Sequence, residues 1–343
     1  MKKHFLIFTL AVIFGTSLLS ANDTYFYMAG GQLVPTKETD IQVEMQEEVI
    51  NIVLEDKYYE VTVDFFFYNH DKTVDLEIGF PFFCVGISGN GEISDFKCWT
   101  NDIEEDYTDF PLTKKWADDT QLENAYIRHI KFPPKKITKT KVSYKSTYGR
   151  EAPSYNIAKY LYGTGSSWKN SIGKMTIRIT NNNLYYRPNW VSLPGENSMQ
   201  RTSENSWEGV YTNVEPKDYT ECITIIMGDI FGDDGPRILQ KNRFFGCNAQ
   251  LQKSHLFWYT KPQLRLVRNA IYAFNGYPFK SPDLIELFEK TLTEYGWFGW
   301  TADDQKIYPL DNNFSESKLT QTEKDNVKLI LEEENSFAKI KSN

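Results

Sequence analysis

The sequence predicts two domains of different class, an antiparallel β-sandwich followed by a small α-helical domain. Residues 22 to 230 repeat the alternation of apolar and polar side chains that is typical of strands with one solvated face. Beyond them, apolar residues recur at helical spacing between residues that begin and end helices. A chain of 343 residues is long enough for each domain to bury its own core. We therefore expect a sandwich at 22–230, a junction at 231–260 and a helical domain at 261–343.

Residues 1–21 have the layout of a secretory signal peptide. Lys2 and Lys3 precede an apolar run from Phe5 to Leu19, which ends at Ser20-Ala21. The alternative is a membrane helix, but a run of about 15 residues is shorter than the roughly 20 that span a bilayer. We therefore expect export to the periplasm or the extracellular space, with no transmembrane segment after cleavage.

The rest of the chain is acidic. Removal of Lys2 and Lys3 leaves 36 of the 38 basic residues against 46 acidic ones, a net charge near −10. This balance argues against nonspecific nucleic-acid binding, because phosphate backbones attract basic surfaces.

Two segments show the strand pattern clearly, each with apolar residues at every second position. Turn-forming clusters such as those at 88–91 and 181–183 separate the strands. The apolar sets that we expect to face the core are Tyr59, Val61, Val63, Phe65 and Phe67 in one strand, and Met175, Ile177 and Ile179 in the other.

Four cysteines, an even number in a chain expected to be exported, allow three disulfide pairings. Pairing in sequence order would close loops of roughly 15 to 26 residues, each worth about 3 kcal/mol. The alternative is four free or partly paired thiols, and the absence of a Cys-x-x-Cys spacing argues against a zinc or redox site. The disulfide candidates are Cys84, Cys98, Cys222 and Cys247.

Several short motifs in the N-terminal half, taken in order, resemble a family of uncharacterised bacterial exported proteins. The resemblance implies an extracytoplasmic β-rich fold and no catalytic residues. The motifs are Ala29-Gly30-Gly31-Gln32-Leu33, Phe67-Tyr68-Asn69, Gly79-Phe80-Pro81, Tyr144 to Gly149, Thr164-Gly165 with Trp168, and Ile172-Gly173, with Trp207 and Glu215-Pro216 near the end.

The helical half has clear start and stop residues. Pro262 suits a first helical turn, and Gly276 can adopt the left-handed conformation that ends a helix. Ser281-Pro282-Asp283 predicts the start of a second helix, with Leu284, Leu287, Phe288 and Leu292 as its buried stripe. Thr320 and Glu323 form a capping box ahead of a last helix of about four turns.

The segment from Leu264 to Trp300 resembles the YARHG domain of bacterial exported proteins, which we expect at about 260–340. Where the family motif has Arg-His before its glycine, this chain has Phe274-Asn275, so a ligand contact that needs that basic pair does not carry over to this chain. We interpret the retained residues first as packing and helix-ending residues. Arg268 and Asn269 would be free to form hydrogen bonds with the loop around Trp297. The retained residues are Arg268, Asn269, Tyr272, Ala273 and Gly276.

No catalytic or metal-binding motif is evident, and we expect no cofactor and no metal. His70, His129 and His255 share no metal-ligand spacing with one another or with a cysteine. His129 alternates with Ile127, so we interpret it as a structural histidine that faces the core. The acidic residues from Asp229 to Asp234 lack calcium-loop spacing and are interpreted as a solvated turn.

Two surface features are candidate binding sites. The first is a row of lysines at odd positions of a predicted strand, which either blunts a sheet edge or faces anionic envelope material. The second is a group of aromatic residues, which are either core residues or a sugar-stacking shelf. The lysines are Lys135, Lys139, Lys141 and Lys145, and the aromatic residues are Tyr295, Trp297, Phe298 and Trp300.

These observations favour an exported, non-catalytic module that binds or scaffolds envelope polysaccharide or another exported protein. One alternative is an extracellular hydrolase of wall glycan or peptide that uses paired carboxylates, which requires two acids in one cleft with unequal pKa values. A secreted enzyme inhibitor or accessory subunit is a third interpretation.

Overall fold

The computed structural model describes residues 27–31, 34–35, 42–85, 93–111, 115–116, 120–151, 155–195, 199–217, 221–231, 244–291 and 310–340. In these residues the N-terminal region consists of two β-sheets and the C-terminal region is helical, so the predicted fold class is confirmed. The predicted signal peptide and residues 232–243 of the predicted junction lie outside the described residues. No described helix is both long enough and apolar enough to cross a membrane.

The described strands number eighteen and are labelled in chain order. They are β1 (Tyr27–Gly31), β2 (Val34–Pro35), β3 (Val43–Leu54), β4 (Tyr58–Asn69), β5 (Val74–Val85), β6 (Ile93–Thr100), β7 (Ile103–Glu105), β8 (Thr108–Pro111), β9 (Lys115–Trp116), β10 (Thr120–Phe132), β11 (Ile137–Thr147), β12 (Gly149–Glu151), β13 (Tyr155–Leu161), β14 (Ile172–Asn181), β15 (Tyr186–Ser192), β16 (Gln200–Arg201), β17 (Ser206–Val214) and β18 (Cys222–Asp229).

The strands form a ten-stranded and an eight-stranded sheet. The ten-stranded sheet has the order β15-β18-β13-β1-β5-β10-β8, with β12, β2 and β9 paired to its members. The eight-stranded sheet has the order β16-β17-β14-β3-β4-β11-β6-β7. Most pairs are antiparallel, as expected, but β1 pairs with β13 and β3 with β14 in parallel. These two parallel pairs were not predicted.

Side-chain alternation places the core between the sheets. Along β4, buried residues alternate strictly with partly exposed ones, which confirms the predicted inward set from Tyr59 to Phe67. The same alternation buries Met175, Ile177 and Ile179 on β14. Apolar side chains from both sheets join one buried cluster, as expected for a sandwich with two inner faces.

A β-bulge changes which residues of β3 face this core. The register of β3 against β4 shifts between Met45 and Glu47, so the alternation changes phase there. As a result Glu48 is fully buried, and the Tyr160 hydroxyl donates to its carboxylate at 2.7 Å across the sandwich. Burial raises the pKa of Tyr160 well above its ordinary value, and the Glu48 charge acts in the same direction.

The described residues of the helical region form four helices that surround a second buried cluster. They are α1 (Phe245–Asn248), α2 (Lys261–Ala273), α3 (Pro282–Leu284), which continues as a π-helix over Ile285–Thr291, and α4 (Gln321–Ile340). Short 3₁₀ helices cover Gly163–Ser167 in the sandwich, and Lys253–Leu256 and Glu316–Lys318 in the helical region.

The predicted start of α4 is confirmed. The Thr320 amide donates to Glu323 Oε2 at 2.7 Å, and the Glu323 amide donates to Thr320 Oγ1 at 3.2 Å. These two bonds are those of a capping box. The helix has 20 residues, which is more than the four turns expected.

Arg201 of β16 joins the two domains. Its guanidinium donates to Glu333 Oε1 of α4 at 2.6 Å and to the carbonyls of Leu256 at 3.0 Å, Tyr259 at 3.2 Å and Phe257. The same group lies 4.5 Å from the Phe337 ring centroid. Burial lowers the pKa of Arg201, and the Glu333 carboxylate opposes this shift. We call this set of contacts the domain junction.

Two more buried side chains bridge the domain junction. Gln263 of α2 donates to the carbonyls of Asn183 at 2.7 Å and Tyr186 at 2.8 Å, and the Trp207 indole donates to the Phe257 carbonyl at 3.0 Å. The helical region therefore packs on the side of the sandwich formed by β15, β16 and β17. Residues predicted as a junction segment are part of this packing, since Leu256 and Tyr259 are buried.

No disulfide joins Cys98, Cys222 or Cys247. Cys98 interacts with Arg128, whose strand partner is Ile78. Cys84 lies six residues from Ile78 along β5, a separation of roughly 20 Å in an extended strand. A disulfide requires Cα atoms less than about 7 Å apart. Pairing of Cys84 with Cys98 is therefore wrong.

The second sequential pair fails for a similar reason. Cys222 is the first residue of β18, and only the other end of that strand, at Ile230 and Phe231, reaches the helical cluster against which Cys247 packs. Seven residues of extended chain separate the two ends by roughly 23 Å. The sandwich is thus stabilised by its buried cluster rather than by the expected disulfides.

Candidate functional site

Three of the four candidate lysines share the outer face of β11. Burial alternates along this strand, so Lys139, Lys141 and Lys145 face solvent while the residues between them face the core. Lys135 lies in the preceding turn instead, with a left-handed φ of 53°, and its ammonium donates to the His70 carbonyl. Its predicted place in the strand is wrong, because the strand begins two residues later.

Carboxylates from neighbouring strands pair with two of these lysines. Lys139 lies 3.4 Å from both Asp64 and Asp102, and Lys145 lies 2.9 Å from Asp95 and 3.8 Å from Glu60. The Asp64 charge raises the pKa of Lys139, and the hydrogen bond to Asp95 raises that of Lys145. The surface is therefore close to electrically balanced, which differs from the anion-facing row considered from the sequence.

Aromatic rings lie beneath the same lysines. The ammonium of Lys141 is 5.0 Å from the Trp99 ring centroid, that of Lys145 is 5.4 Å from Tyr58, and that of Lys139 is 6.0 Å from Phe66. These distances are in the range of cation–π contacts. We define the lysine face as Lys139, Lys141 and Lys145 together with Tyr58, Phe66 and Trp99.

The second predicted feature cannot be placed. Tyr295, Trp297, Phe298 and Trp300 lie outside the described residues.

The motif around Gly276 ends α2 with a Schellman turn. Gly276 has a φ of 81°, its amide donates to the Ala273 carbonyl at 2.9 Å, and the Tyr277 amide donates to the Tyr272 carbonyl at 3.1 Å. These are the two bonds that define this helix ending, in which a glycine avoids the steric cost of a left-handed conformation. The Tyr272 and Tyr277 rings then meet at 5.7 Å.

The other motif residues hold helices together. Arg268 binds Glu334 of α4 with two bonds, of 2.6 and 3.3 Å, and Asn269 donates to the carbonyl one turn earlier, at Arg265. The loop around Trp297, the partner expected from the sequence, lies outside the described residues.

Phe274 and Asn275, which replace the basic pair of the family motif, have structural contacts. The Phe274 ring is buried 5.0 Å from that of Phe244. Asn275 donates to Glu323 at 3.1 Å, so it links the end of α2 to the capping box of α4.

Two further predictions about ionisable residues are wrong. His129 is exposed rather than in the core, because its neighbour Arg128 takes the inward position on β10. Asp229, expected in a solvated turn, is buried at the end of β18 and accepts from the Phe231 amide at 2.7 Å. Burial raises the pKa of Asp229 to about 6, while this amide and the Arg187 charge act in the opposite direction.

Among the described residues, no group of three or more His, Cys, Asp or Glu side chains is placed to hold a metal ion. Within the described part of the sandwich, two carboxylates are buried. Asp229 accepts from the Phe231 amide and is influenced by the Arg187 charge, and Glu48 accepts from the Tyr160 hydroxyl. Sequence reasoning missed Glu48 because only the bulge in β3 turns it inward.

These features define the class of protein. It is a β-sandwich with a sheet face on which lysines lie over aromatic rings and beside carboxylates, joined to a helical domain in which α2 ends with a Schellman turn. Residues 247–335 match the family model of the YARHG domain, so the chain carries that domain after its β-rich region. The match begins 14 residues before the boundary expected from the sequence.

A solved structure of a candidate nutrient-binding protein from Legionella pneumophila has the same fold. It is 19% identical, with a TM-score of 0.53 over 91% of this chain and 99% of that one. An M1 zinc metallopeptidase from Deinococcus radiodurans is 10% identical, with a TM-score of 0.32 over 57% of this chain and 44% of that one, a likeness too low to support an argument. No curated protein matches the sequence.

Proposed function

We propose that this protein is an exported, non-catalytic module that binds envelope glycan through the lysine face. The observation that carries the proposal is the presence of three partly exposed rings, Tyr58, Phe66 and Trp99, on the outer surface of one sheet. Aromatic rings offer rigid apolar area, and the charged groups around them offer donors and acceptors for hydroxyl groups. The proposal takes residues 22–230 as the binding domain and 261–343 as the helical domain.

The charge balance of the lysine face favours a neutral or mixed-charge glycan over a polyanion. Lys139 and Lys145 already have carboxylate partners, so an anionic ligand would compete with existing ion pairs. Binding led by the rings should depend weakly on salt, because screening acts on exposed charges.

Two comparisons support the proposal in general terms. The YARHG domain is typical of exported proteins, which fits export of this chain. The fold is shared over nearly the full length with a protein whose description is a candidate nutrient-binding protein, which fits a binding role for this chain.

The test is co-sedimentation of the mature protein with purified peptidoglycan and with envelope polysaccharide, scored for bound protein and for released products. We expect binding that falls at least tenfold in a variant with Tyr58→Leu, Phe66→Leu and Trp99→Leu. Trp190→Leu is the matched control, because Trp190 is 53% exposed on an edge strand of the other sheet.

A second variant separates rings from charges. Changing Lys135, Lys139, Lys141 and Lys145 to glutamine should weaken binding less than threefold at low salt, since two of these lysines are neutralised by carboxylates. Loss of binding in this variant but not in the ring variant would mean that the ligand is anionic rather than neutral. Release of soluble fragments would replace the whole proposal with the hydrolase alternative, and absence of binding to every fraction would end the glycan proposal.

A further inference from the structure

Three partly exposed aromatic rings lie together at the surface of the helical domain, where they pack against its buried cluster, and we call them the aromatic corner. They belong to Tyr272, Tyr277 and Phe314, and each ring is partly exposed. The centroid distances are 5.7 Å between the two tyrosines, 6.2 Å from Tyr272 to Phe314 and 5.1 Å from Tyr277 to Phe314. The corresponding interplanar angles are 61°, 66° and 87°, so each ring is steeply inclined to the other two.

The backbone builds the aromatic corner from two separate segments. The Schellman turn at Gly276 reverses the chain, which brings Tyr277 back beside Tyr272. The Asp311 amide then donates to the Gly276 carbonyl at 2.8 Å, and the Phe314 amide donates to the Asp311 carbonyl at 2.9 Å. These bonds place Phe314 as the third ring, so the corner is a consequence of the motif's glycine.

The spacing of the rings matches a site for a cation. Three mutually perpendicular rings that face one point about 4 Å away have centroids about 5.7 Å apart, and cation–π attraction extends to about 6 Å. The three centroid distances, 5.1, 5.7 and 6.2 Å, bracket that value. The faces of aromatic rings carry partial negative charge, which three rings together direct toward one place.

The charges around the aromatic corner also favour a cation. Glu316 is exposed and accepts from the Tyr272 hydroxyl at 3.4 Å, and no described lysine or arginine forms an ion pair with it. Two basic side chains of the surrounding segments are paired with other carboxylates, Arg268 with Glu334 and Lys318 with Asp311. The local field therefore offers one uncompensated carboxylate beside three rings.

We propose that the aromatic corner binds an organic cation, an amine or quaternary ammonium group, between the faces of Tyr272, Tyr277 and Phe314. Glu316 supplies the balancing charge. The same chemistry would accept a free small amine or the side chain of a lysine in a peptide. This site is separate from the lysine face and does not depend on the glycan proposal.

Calorimetric titration of the full mature chain with choline tests the proposal, with the uncharged carbon analogue of choline as the control ligand. We expect saturable choline binding and at least tenfold weaker binding of the analogue, because only the charged group gains from the ring faces. Equal binding of both ligands, or no binding of choline, would overturn it. Titration with a blocked lysine amide distinguishes a peptide side chain from a small amine as the better ligand.

Variants locate the site. Tyr277→Leu and Phe314→Leu should each weaken choline binding about fivefold, since each removes one ring but keeps apolar volume. Tyr272→Phe keeps the ring and should retain binding, and Glu316→Gln should weaken it about threefold. Thermal unfolding followed by circular dichroism shows whether each variant is folded. Trp99→Leu on the lysine face should leave choline binding unchanged. A loss of choline binding in this variant would mean that the cation binds at the lysine face and not at the aromatic corner.

Discussion

The lysine face and the domain junction use the same kinds of group in opposite environments. In both, a basic side chain lies over an aromatic ring and beside a carboxylate, but the Lys139 side chain is 36% exposed and that of Arg201 is 8% exposed. Water screens the lysine pairs, whereas the arginine has exchanged water for Glu333 and three backbone carbonyls. Burial therefore makes the junction a structural contact and leaves the lysine face available for a ligand.

The largest predicted effect is at the domain junction. Arg201→Met should lower the free energy of unfolding by about 3 kcal/mol. The change leaves the Glu333 carboxylate and three backbone carbonyls of the junction without the hydrogen bonds that Arg201 donates to them. Urea unfolding followed by tryptophan fluorescence measures this, since Trp207 and Trp258 lie near the junction. Arg201→Lys should recover only part of the loss, as one ammonium cannot reproduce the planar fork. A loss below 1 kcal/mol would mean that burial does not distinguish the two regions.

Asp229 tests how burial of a negative charge affects the stability of the protein. Its folded pKa is raised from 3.8 to about 6, so the stability it contributes is present below pH 3.8 and is lost as the pH rises through 6. The loss amounts to about 3 kcal/mol at most. In Asp229→Asn, stability should vary less between pH 4 and 7 than in the parent. Parallel stability curves from urea unfolding at several pH values would contradict this, and Asp95→Asn is the exposed control.

Arg268 and Glu334 provide an intermediate case. The Arg268 side chain is 21% exposed and makes two bonds to the carboxylate. A double-mutant cycle with Arg268→Gln and Glu334→Gln should give a coupling energy of about 1 kcal/mol, between the values for buried and exposed pairs. A coupling energy near zero would place this pair with the surface lysines.

The smallest effect is expected on the lysine face. Lys139→Gln and Lys145→Gln should each change the free energy of unfolding by less than about 0.5 kcal/mol, because solvent-exposed ion pairs contribute little. The same urea assay measures this, with Arg201→Met as the reference. A loss above 1 kcal/mol from either change would show that the face is part of the stabilising structure rather than a surface free to bind.

Local patterns predicted much of the fold. Alternation gave the inward set of β4, and the capping box gave the start of α4, because both depend on residues close together in sequence. The outward position of the lysines on β11 follows from the same alternation, although the carboxylates beside them come from other strands and were not predicted.

Contacts that depend on tertiary structure were missed. Glu48 faces the core only because of a bulge, and Arg201 is buried only because α4 and residues 256–259 pack against β16. The cysteine pairing failed because it needed the strand register, which places Cys84 far from Cys98. The aromatic corner needed the bond from Asp311 to Gly276, which joins two segments separated by the whole of α3.

The parallel pairs have a consequence for how the protein folds. β14 lies beside β3, although Lys174 and its partner Glu47 are 127 residues apart in sequence, and β1 lies beside β13 in the same way. Pairing across such distances is slow, because a long loop must close before any contact forms. A chain delivered from its N-terminus by a ribosome completes neither sheet until β13 and β14 have emerged. Its early strands therefore have to remain unaggregated until all of the strands from β1 to β12 have emerged.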